Sequence, residues 1–385
     1  MKVVFDCRYI RLVRHDGISR YTAGLVEAFS KLHPVTMLIS DERQLTMLPD
    51  LPWHKVRPAT SLLEPWAAIG INKLEPDVVY SPMQTIGSAH RRFRLILTVH
   101  DMVFYRTRRP PSEFNAVIRL IWWGFYATYL PQRLALDRAE AVVTGSYNCA
   151  REMVEARLTK RPLSVIRPGV APLDLPPRRH DDSRTLVYMG TFMPNKNVET
   201  LARGMHLLPG YRLFLLSRIT SEARERLTAL APEGSLVFEN GVTDERYLEL
   251  LRSSTAMVSA CFDEGFGIPL IEALAAATPL VISDIPVFRE VGGDAAVYFE
   301  PSSAEAFAAA VVSMDTAERW NELTEKARSQ AAEFSWEESA TRLLHLIETL
   351  PPRNRKWWKP RRSRRMPVRS SEAALPPAPP AGSAR

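Results

Sequence analysis

The chain has 385 residues, 46% of them hydrophobic, which allows two domains of ordinary size. Its formal net charge of +7 is uneven: from Pro351 onward ten Lys or Arg stand against one acid, Glu372, so the body before it carries 40 bases and 42 acids, about −2. That balance disfavours nucleic acid as a partner of the folded body, and the three scattered cysteines, Cys7, Cys149 and Cys261, have neither metal nor disulfide spacing. A reducing compartment is the simplest inference. The N-terminus opens straight into a strand pattern without a signal peptide. The nearest approach to a transmembrane run, AVIRLIWWGFYATYL, carries Arg119. The expected location is cytoplasmic, with peripheral contact to the inner face of the cell membrane.

Lys2 to Asp6 reads as a short apolar strand, and Gly17-Ile-Ser-Arg-Tyr21 opens a helix through about Leu32. Val35 to Ser40, Asp77 to Tyr80 and Leu95 to Val99 are further strands, short and apolar as in a parallel sheet. His100-Asp101 ends the last of them, and ligands of such sheets bind at the carboxyl ends of strands. Ser112 to Arg138 reads as one long helical region rich in aromatics, assigned to core or lobe surface. Ala141 to Ser146 is a strand leading into a helix from Tyr147, and Leu163 to Ile166 closes a doubly wound domain of residues 1–171. The polar, proline-rich stretch 172–183 reads as a linker.

A second domain, 184–335, starts with the strand pattern TLVYMG. Gly190 and Thr191 then lead to Lys196 just before a helix from about Val198. Glycine after a strand and lysine before a helix suit a diphosphate, by close backbone approach and a point charge. Arg212 to Ser217 and Leu236 to Asn240 are strands, and Thr243 or Asp244 caps the next helix. Ala256 to Ala260 is a buried strand, followed by a loop with Gly265 and Gly267. Pro269 suits the first position of a helix, Leu270 to Ala277, that is apolar almost all round. Glu272 falls in its first turn and needs a partner there, while Glu264 lies at the mouth of the loop. Strand, glycine loop and helix N-terminus together make an anion site.

After a last strand, Leu280 to Ser283, Gly292 and Gly293 read as structural glycines. Ser335-Trp336 starts a terminal helix, 336–350. The tail, 351–385, combines cations around Arg355 and Lys359 with two tryptophans, a composition suited to an anionic membrane surface. RRFR at Arg91 and RTRR at Arg106 are expected to extend that basic rim. No Gly-x-Gly-x-x-Gly follows the first strand, which argues against a hydride-transferring dinucleotide enzyme. No Asp-x-Asp metal stretch lies in a suitable loop, and Asp181-Asp182 falls in the linker, so no metal is expected.

Glu264, seven residues, Glu272 resembles the signature of retaining, nucleotide-sugar-dependent glycosyltransferases of family 4, mannosyltransferase-like. GISRY is similar to the family's Gly-Ile-Gly-Arg-Tyr loop, and Val-His-Asp at His100 to its sugar-contacting histidine; the likeness runs to about Leu350. It implies an α/β GT-B fold, two Rossmann-like doubly wound domains facing a central cleft, with the terminal helix crossing back to the first. It implies that Lys196, Gly190, Thr191 and the backbone of Gly265, Phe266, Gly267 and Ile268 hold the diphosphate. Glu272 would take the ribose hydroxyls. Glu264 and His100 would act with Lys196 on the sugar, and Gly17, Arg20 and Asp101 would face the acceptor. Thr191 stands where the family pattern has arginine, which leaves more of the phosphate to Lys196. The implied reaction moves a hexose, from GDP-mannose or a UDP-hexose, to a glycan or lipid-linked acceptor in envelope polysaccharide or glycolipid synthesis, with no cofactor. Two alternatives stand beside it: a GT-B sugar-nucleotide epimerase, which needs no acceptor, and a non-catalytic membrane-associated scaffold, which binds no nucleotide.

Overall fold

The computed structural model describes residues 1–107, 116–173, 175, 176, 178, 180 and 183–351. The tail, Asp181-Asp182 and the start of the aromatic region at Ser112 lie outside the described residues. The first half contains β1 (Val3–Asp6), α1 (Gly17–Leu32), β2 (Val35–Ile39), β3 (Trp53–Lys55), α2 (Ala67–Ile71), β4 (Val78–Ser81) and β5 (Arg94–Val99). It continues with α3 (Val103–Thr107), α4 (Ala116–Tyr126), α5 (Leu130–Leu136), β6 (Ala141–Thr144), α6 (Tyr147–Glu155) and β7 (Leu163–Val165). The second half contains β8 (Thr185–Tyr188), α7 (Val198–Gly204), β9 (Arg212–Leu215), α8 (Ser221–Thr228), β10 (Leu236–Phe238), α9 (Asp244–Ser253) and β11 (Ala256–Ser259). Then come α10 (Ile268–Ala275), β12 (Leu280–Ser283), α11 (Pro286–Gly292), β13 (Ala296–Phe299), α12 (Ala304–Met314), α13 (Ala317–Ala331) and α14 (Trp336–Thr349).

The strands form two sheets, β3-β2-β1-β4-β5-β6-β7 and β10-β9-β8-β11-β12-β13, and every pairing in both is parallel. Apolar residues on both faces are what a parallel sheet covered by helices requires. The period of two sorts them: Val3 and Phe5 enter one core of the first lobe and Val4 the other. In the second lobe Leu186 and Tyr188 enter one core and Val187 the other. Strand order reverses between β1 and β4, and between β8 and β11. A crevice opens at the carboxyl ends of strands at such switch points.

Helix α14 follows the second lobe in sequence but packs on the first. Ala340, Leu343 and Ile347 are buried in the same core as Leu25 and Phe29 of α1. A Cβ on Gly24 of α1 would stand 2.4 Å from the Trp336 ring, so the close crossing needs glycine there. Each fully buried Leu or Ile on this seam contributes about 1.5–3 kcal/mol.

Several local expectations are corrected. Leu280–Ser283 is not the last strand: β13 follows and pairs with it at the sheet edge, and β3 forms where no strand is expected. The aromatic region forms two short helices, α4 and α5: the chain bends at residues 127–129 and restarts at Leu130, with Pro131 in the first turn of α5, where its missing N–H costs nothing. Helix α10 begins at Ile268 and ends at Ala275, which puts Pro269 second and Glu272 fifth, in the second turn. The basic rim is not free: Arg91 pairs with Glu140 at 2.8 Å, and Arg106 with Glu152 at 2.8 Å.

Candidate functional site

The loops after β8 and β11 are neighbours because those strands flank the switch point. They are zipped together by backbone and side chain. Phe262 N–H donates to Asn195 O at 2.8 Å, and the Asn195 amide donates to Asp263 O at 3.3 Å. Asn197, in the left-handed region at φ 50°, donates from its side chain to Ala260 O at 3.0 Å and Pro301 O at 2.6 Å. This clamp presents Lys196 to Glu264, and the two side chains form an ion pair. Burial draws the Lys196 ammonium down, but the adjoining Glu264 carboxylate outweighs it and holds the group above its ordinary value. Lys196 is therefore a cation at neutral pH. Burial pushes the neighbouring Cys261 thiol up to about 12, so it stays protonated and donates to Asp263 O at 2.9 Å.

The first lobe closes directly over this cluster. A Cβ on Gly265 would lie 2.5 Å from His100 O and 2.9 Å from the Asp101 Cβ. Ser146, the N-cap of α6, donates its hydroxyl to Gly265 O at 3.0 Å. Asp101 Oδ1 accepts from Val103 N–H at 3.0 Å. Burial pushes the Asp101 carboxyl up to about 6, helped by the Glu264 and Asp263 charges and opposed by the Val103 hydrogen bond and Lys196. His100 Nε2 lies 2.7 Å from Pro82 O, an arrangement in which Nε2 carries the proton and donates. Its burial lowers its basicity, and its ring meets Tyr21 edge-on at 5.2 Å. Two more contacts tie the lobes beside the cluster. Arg106 grips Asp263, and Glu290 of α11 accepts from Tyr147 N–H at 2.9 Å and Asn148 N–H at 2.8 Å, where the α6 dipole favours an anion.

Glu272 belongs to a different group. Its carboxylate pairs with Arg20 of α1 at 2.8 Å, and the other arm of Arg20 reaches Asp244 of α9 at 3.1 Å. Burial raises the Glu272 carboxyl, and Arg20 opposes the rise. This bridge borders a cavity of about 680 Å³ between the lobes, lined among others by Glu27, Tyr247, Trp336, Asp244, Arg20 and Glu272. Lys196, Glu264 and His100 do not line it. Lys196 pairs with Glu264 and Arg20 with Glu272, so the two glutamates hold separate cations. Arg20, expected on the acceptor side, pairs with the carboxylate assigned to the ribose. Both glutamates are near in sequence, but the loop and the first turn of α10 separate them.

The other expected residues are backbone features. Gly267 holds φ +97° as the N-cap of α10, a conformation that favours glycine. Phe266 is buried and meets Phe334 edge-on at 5.7 Å, so only its backbone faces the loop. Ile268 packs against the cores of both lobes. Gly190 has no room for a side chain, with the Tyr188 hydroxyl 2.6 Å from the would-be Cβ, and that hydroxyl donates to Thr191 O at 2.6 Å. Gly17 opens α1, one residue after its N-cap Asp16, with open space where a Cβ would stand. The reading of motifs did not single out Asn195, Asn197, Asp263 or Glu290, and it placed Arg106 only on a basic rim. Asn197 and Asp263 sat inside stretches already marked, whereas nothing local in sequence ties Arg106 or Glu290 to partners more than a hundred residues away.

Both halves of the chain match known protein families. The model of Glycosyltransferase Family 4 matches residues 15–172, and that of Glycosyl transferases group 1 matches 176–334. The chain is 30% identical over 176 residues to the O-antigen chain mannosyltransferase B of Escherichia coli, covering 43% of this chain and 45% of that protein. It is 26% identical over 224 residues to the O-antigen chain mannosyltransferase RfbU of Salmonella typhimurium, covering 57% and 60%. The matches thus span about half the length of these curated relatives. Among solved structures, a sucrose-phosphate synthase from Thermosynechococcus elongatus superposes with a TM-score of 0.69 at 18% identity, covering 91% of this chain and 98% of that one.

Proposed function

The chain belongs to glycosyltransferase family 4 and has the two-lobed GT-B fold, and from that premise we propose that it moves a hexose from a nucleoside diphosphate sugar to a hydroxyl of a glycan or lipid-linked acceptor. The observation that carries this reading is the Lys196 ammonium, kept charged beside Glu264 at the β8–β11 switch point and covered by His100 and Asp101 of the other lobe. A nucleoside diphosphate is already a good leaving group, so the reaction needs charge stabilisation and positioning more than a strong base. Lys196 and the backbone of Gly265 to Ile268, at the N-terminus of α10, hold the diphosphate. Glu264 orients the ammonium and the sugar ring. Retention follows if the departing phosphate oxygen takes the acceptor proton on the same face, with Lys196 as the cation and no metal ion in the step. For Glu272 to take the ribose hydroxyls, the donor must displace Arg20, so donor entry breaks the bridge between α1 and α10.

Mannose is the first sugar to test, since both relatives named above are mannosyltransferases, and GDP-mannose the first donor, with UDP-hexoses second. The roles of Gly190, Thr191, Gly17 and Asp101 belong to the same proposal. A screen of donor hydrolysis across nucleotide sugars, followed by NMR of the anomeric proton in the product, tests it. GDP-mannose turnover with an α-linked product is expected, unchanged by a chelator. Turnover of no nucleotide sugar, or full turnover by Lys196→Ala, refutes the assignment.

A further inference from the structure

Among the described residues exposed apolar side chains gather in two places, at Leu62, Leu63, Trp66 and Ile69 and on the two consecutive helices α4 and α5. Leu120 and Trp123 of α4 are 69% and 55% exposed, and Leu130 and Leu134 of α5 are 59% and 57% exposed. The spacings i, i+3 and i, i+4 put each pair on one face of its helix. Exposed apolar groups this concentrated mark an interaction surface. From Ala116 to Leu136 the sequence contains two charged residues, Arg119 and Arg133, and no acid. Arg119 is exposed beside Leu120; just past the end of α5 Arg138 is exposed, while Asp137 is half-buried and its Oδ1 accepts from the Thr159 hydroxyl and Lys160 N–H, both at 2.9 Å.

We propose that this α4–α5 face docks on an anionic lipid surface. Leucine and tryptophan flanked by arginine, with no carboxylate, is the chemistry of a helix lying in the interface, apolar side chains among acyl chains and cations at the headgroups. At 1.5 Å per residue the 11 residues of α4 span about 16 Å, half of a hydrocarbon core of about 30 Å, so the helix lies on the membrane. Among the described residues no helix is long and apolar enough to cross one. A second copy of the chain fits the face less well. A two-fold contact brings the same patch together with itself, so its arginines would meet with no acid in the stretch to neutralise them.

The position of the face gives the docking a use. The inner side of α4 packs through Trp122 and Tyr126 on Phe104, at 5.3 and 5.5 Å, and Tyr126 meets Tyr105 at 5.1 Å. Both Phe104 and Tyr105 lie on α3, which starts two residues after Asp101. One aromatic layer separates the lipid-facing side chains from the cluster under the Gly265 loop. The face would present a lipid-linked acceptor to that cluster; this use rests on the proposed transfer reaction, whereas the docking itself does not.

Flotation of the full chain with vesicles tests the proposal. Phosphatidylcholine vesicles with and without phosphatidylglycerol are compared with the wild type, the combined variant Leu120→Ser, Trp123→Ser, Leu130→Ser, Leu134→Ser, and Arg119→Glu. Wild-type chain binds the anionic vesicles, the combined variant loses about tenfold or more, and Arg119→Glu loses several-fold on anionic vesicles alone. Circular dichroism and donor hydrolysis in solution stay unchanged, since all five side chains point away from the cores. Every arm keeps the basic tail, so a combined variant that floats like wild type assigns binding to the tail and overturns the proposal. A wild type that fails to float, or a combined variant that floats normally but changes from dimer to monomer in sedimentation, overturns it as well. Docking without turnover of any nucleotide sugar leaves the surface standing and removes the transferase reading.

Discussion

Asp101→Asn isolates the charge that the closing lobes bury. The Asp101 carboxyl stands at about 6 in the fold against an ordinary 3.8. Between those values the folded chain holds a proton that the unfolded chain has released, so stability falls as pH rises through the window. The acid is therefore best tolerated below 3.8, and its cost is complete above about 6. The gap of about 2 pH units at about 1.4 kcal/mol each amounts to ~3 kcal/mol. Asp101 is half-buried, which trims the expected effect to about 1–3 kcal/mol. Asparagine keeps an oxygen for the Val103 N–H and removes the charge. Thermal unfolding of both proteins from pH 4 to pH 8 reads the difference, taken at the first transition because two lobes need not unfold together. The variant should match wild type near pH 4 and gain about 2–6 °C near pH 8, with the midpoint of the gain near 6. A difference that does not vary with pH refutes the burial argument for this carboxyl, and with it the closeness of the Gly265 loop.

Lys196→Ala should cut transfer about 100-fold or more in initial-rate assays, with partial recovery in Lys196→Arg; an unaffected rate detaches the ammonium from the reaction. Gly265→Ala puts a methyl 2.5 Å from His100 O, so transfer should fall at least about tenfold while circular dichroism stays native, and small-angle scattering should show the lobes moved apart. Arg20→Ala and Glu272→Gln, combined in a double-mutant cycle on thermal stability, should couple by about 1–2 kcal/mol, between the ranges for exposed and buried pairs; additivity counts against the bridge. Leu343→Ala on α14 should cost about 2–4 kcal/mol in denaturant unfolding, because the cavity opens in the core shared with α1.

Most strands were legible because each is a short apolar run buried on both faces, and only a parallel sheet covered by helices uses such runs; β3, largely exposed, and β13, with two half-buried central residues, lack that signal and were not read. Lys196, Glu264 and Gly265 were legible for a local reason. A glycine loop after a strand and a cation before a helix place polar groups at strand ends whatever the rest of the chain does. Helices α4 and α5 were misread as one because the apolar and aromatic content runs on through the bend at residues 127–129.

The amino-acid sequence by itself determined the central strands of both sheets, the loop chemistry and the membership in the family, since all three rest on short-range pattern. Only the tertiary structure decided which charges meet. Arg20 reaches Glu272 and Asp244 across more than two hundred residues, Glu290 caps α6, and Asp101 loses its water to a loop of the other lobe. Coulomb energy and desolvation depend on distance in space and on the surrounding medium, and the order of residues along a chain specifies neither until the lobes have closed.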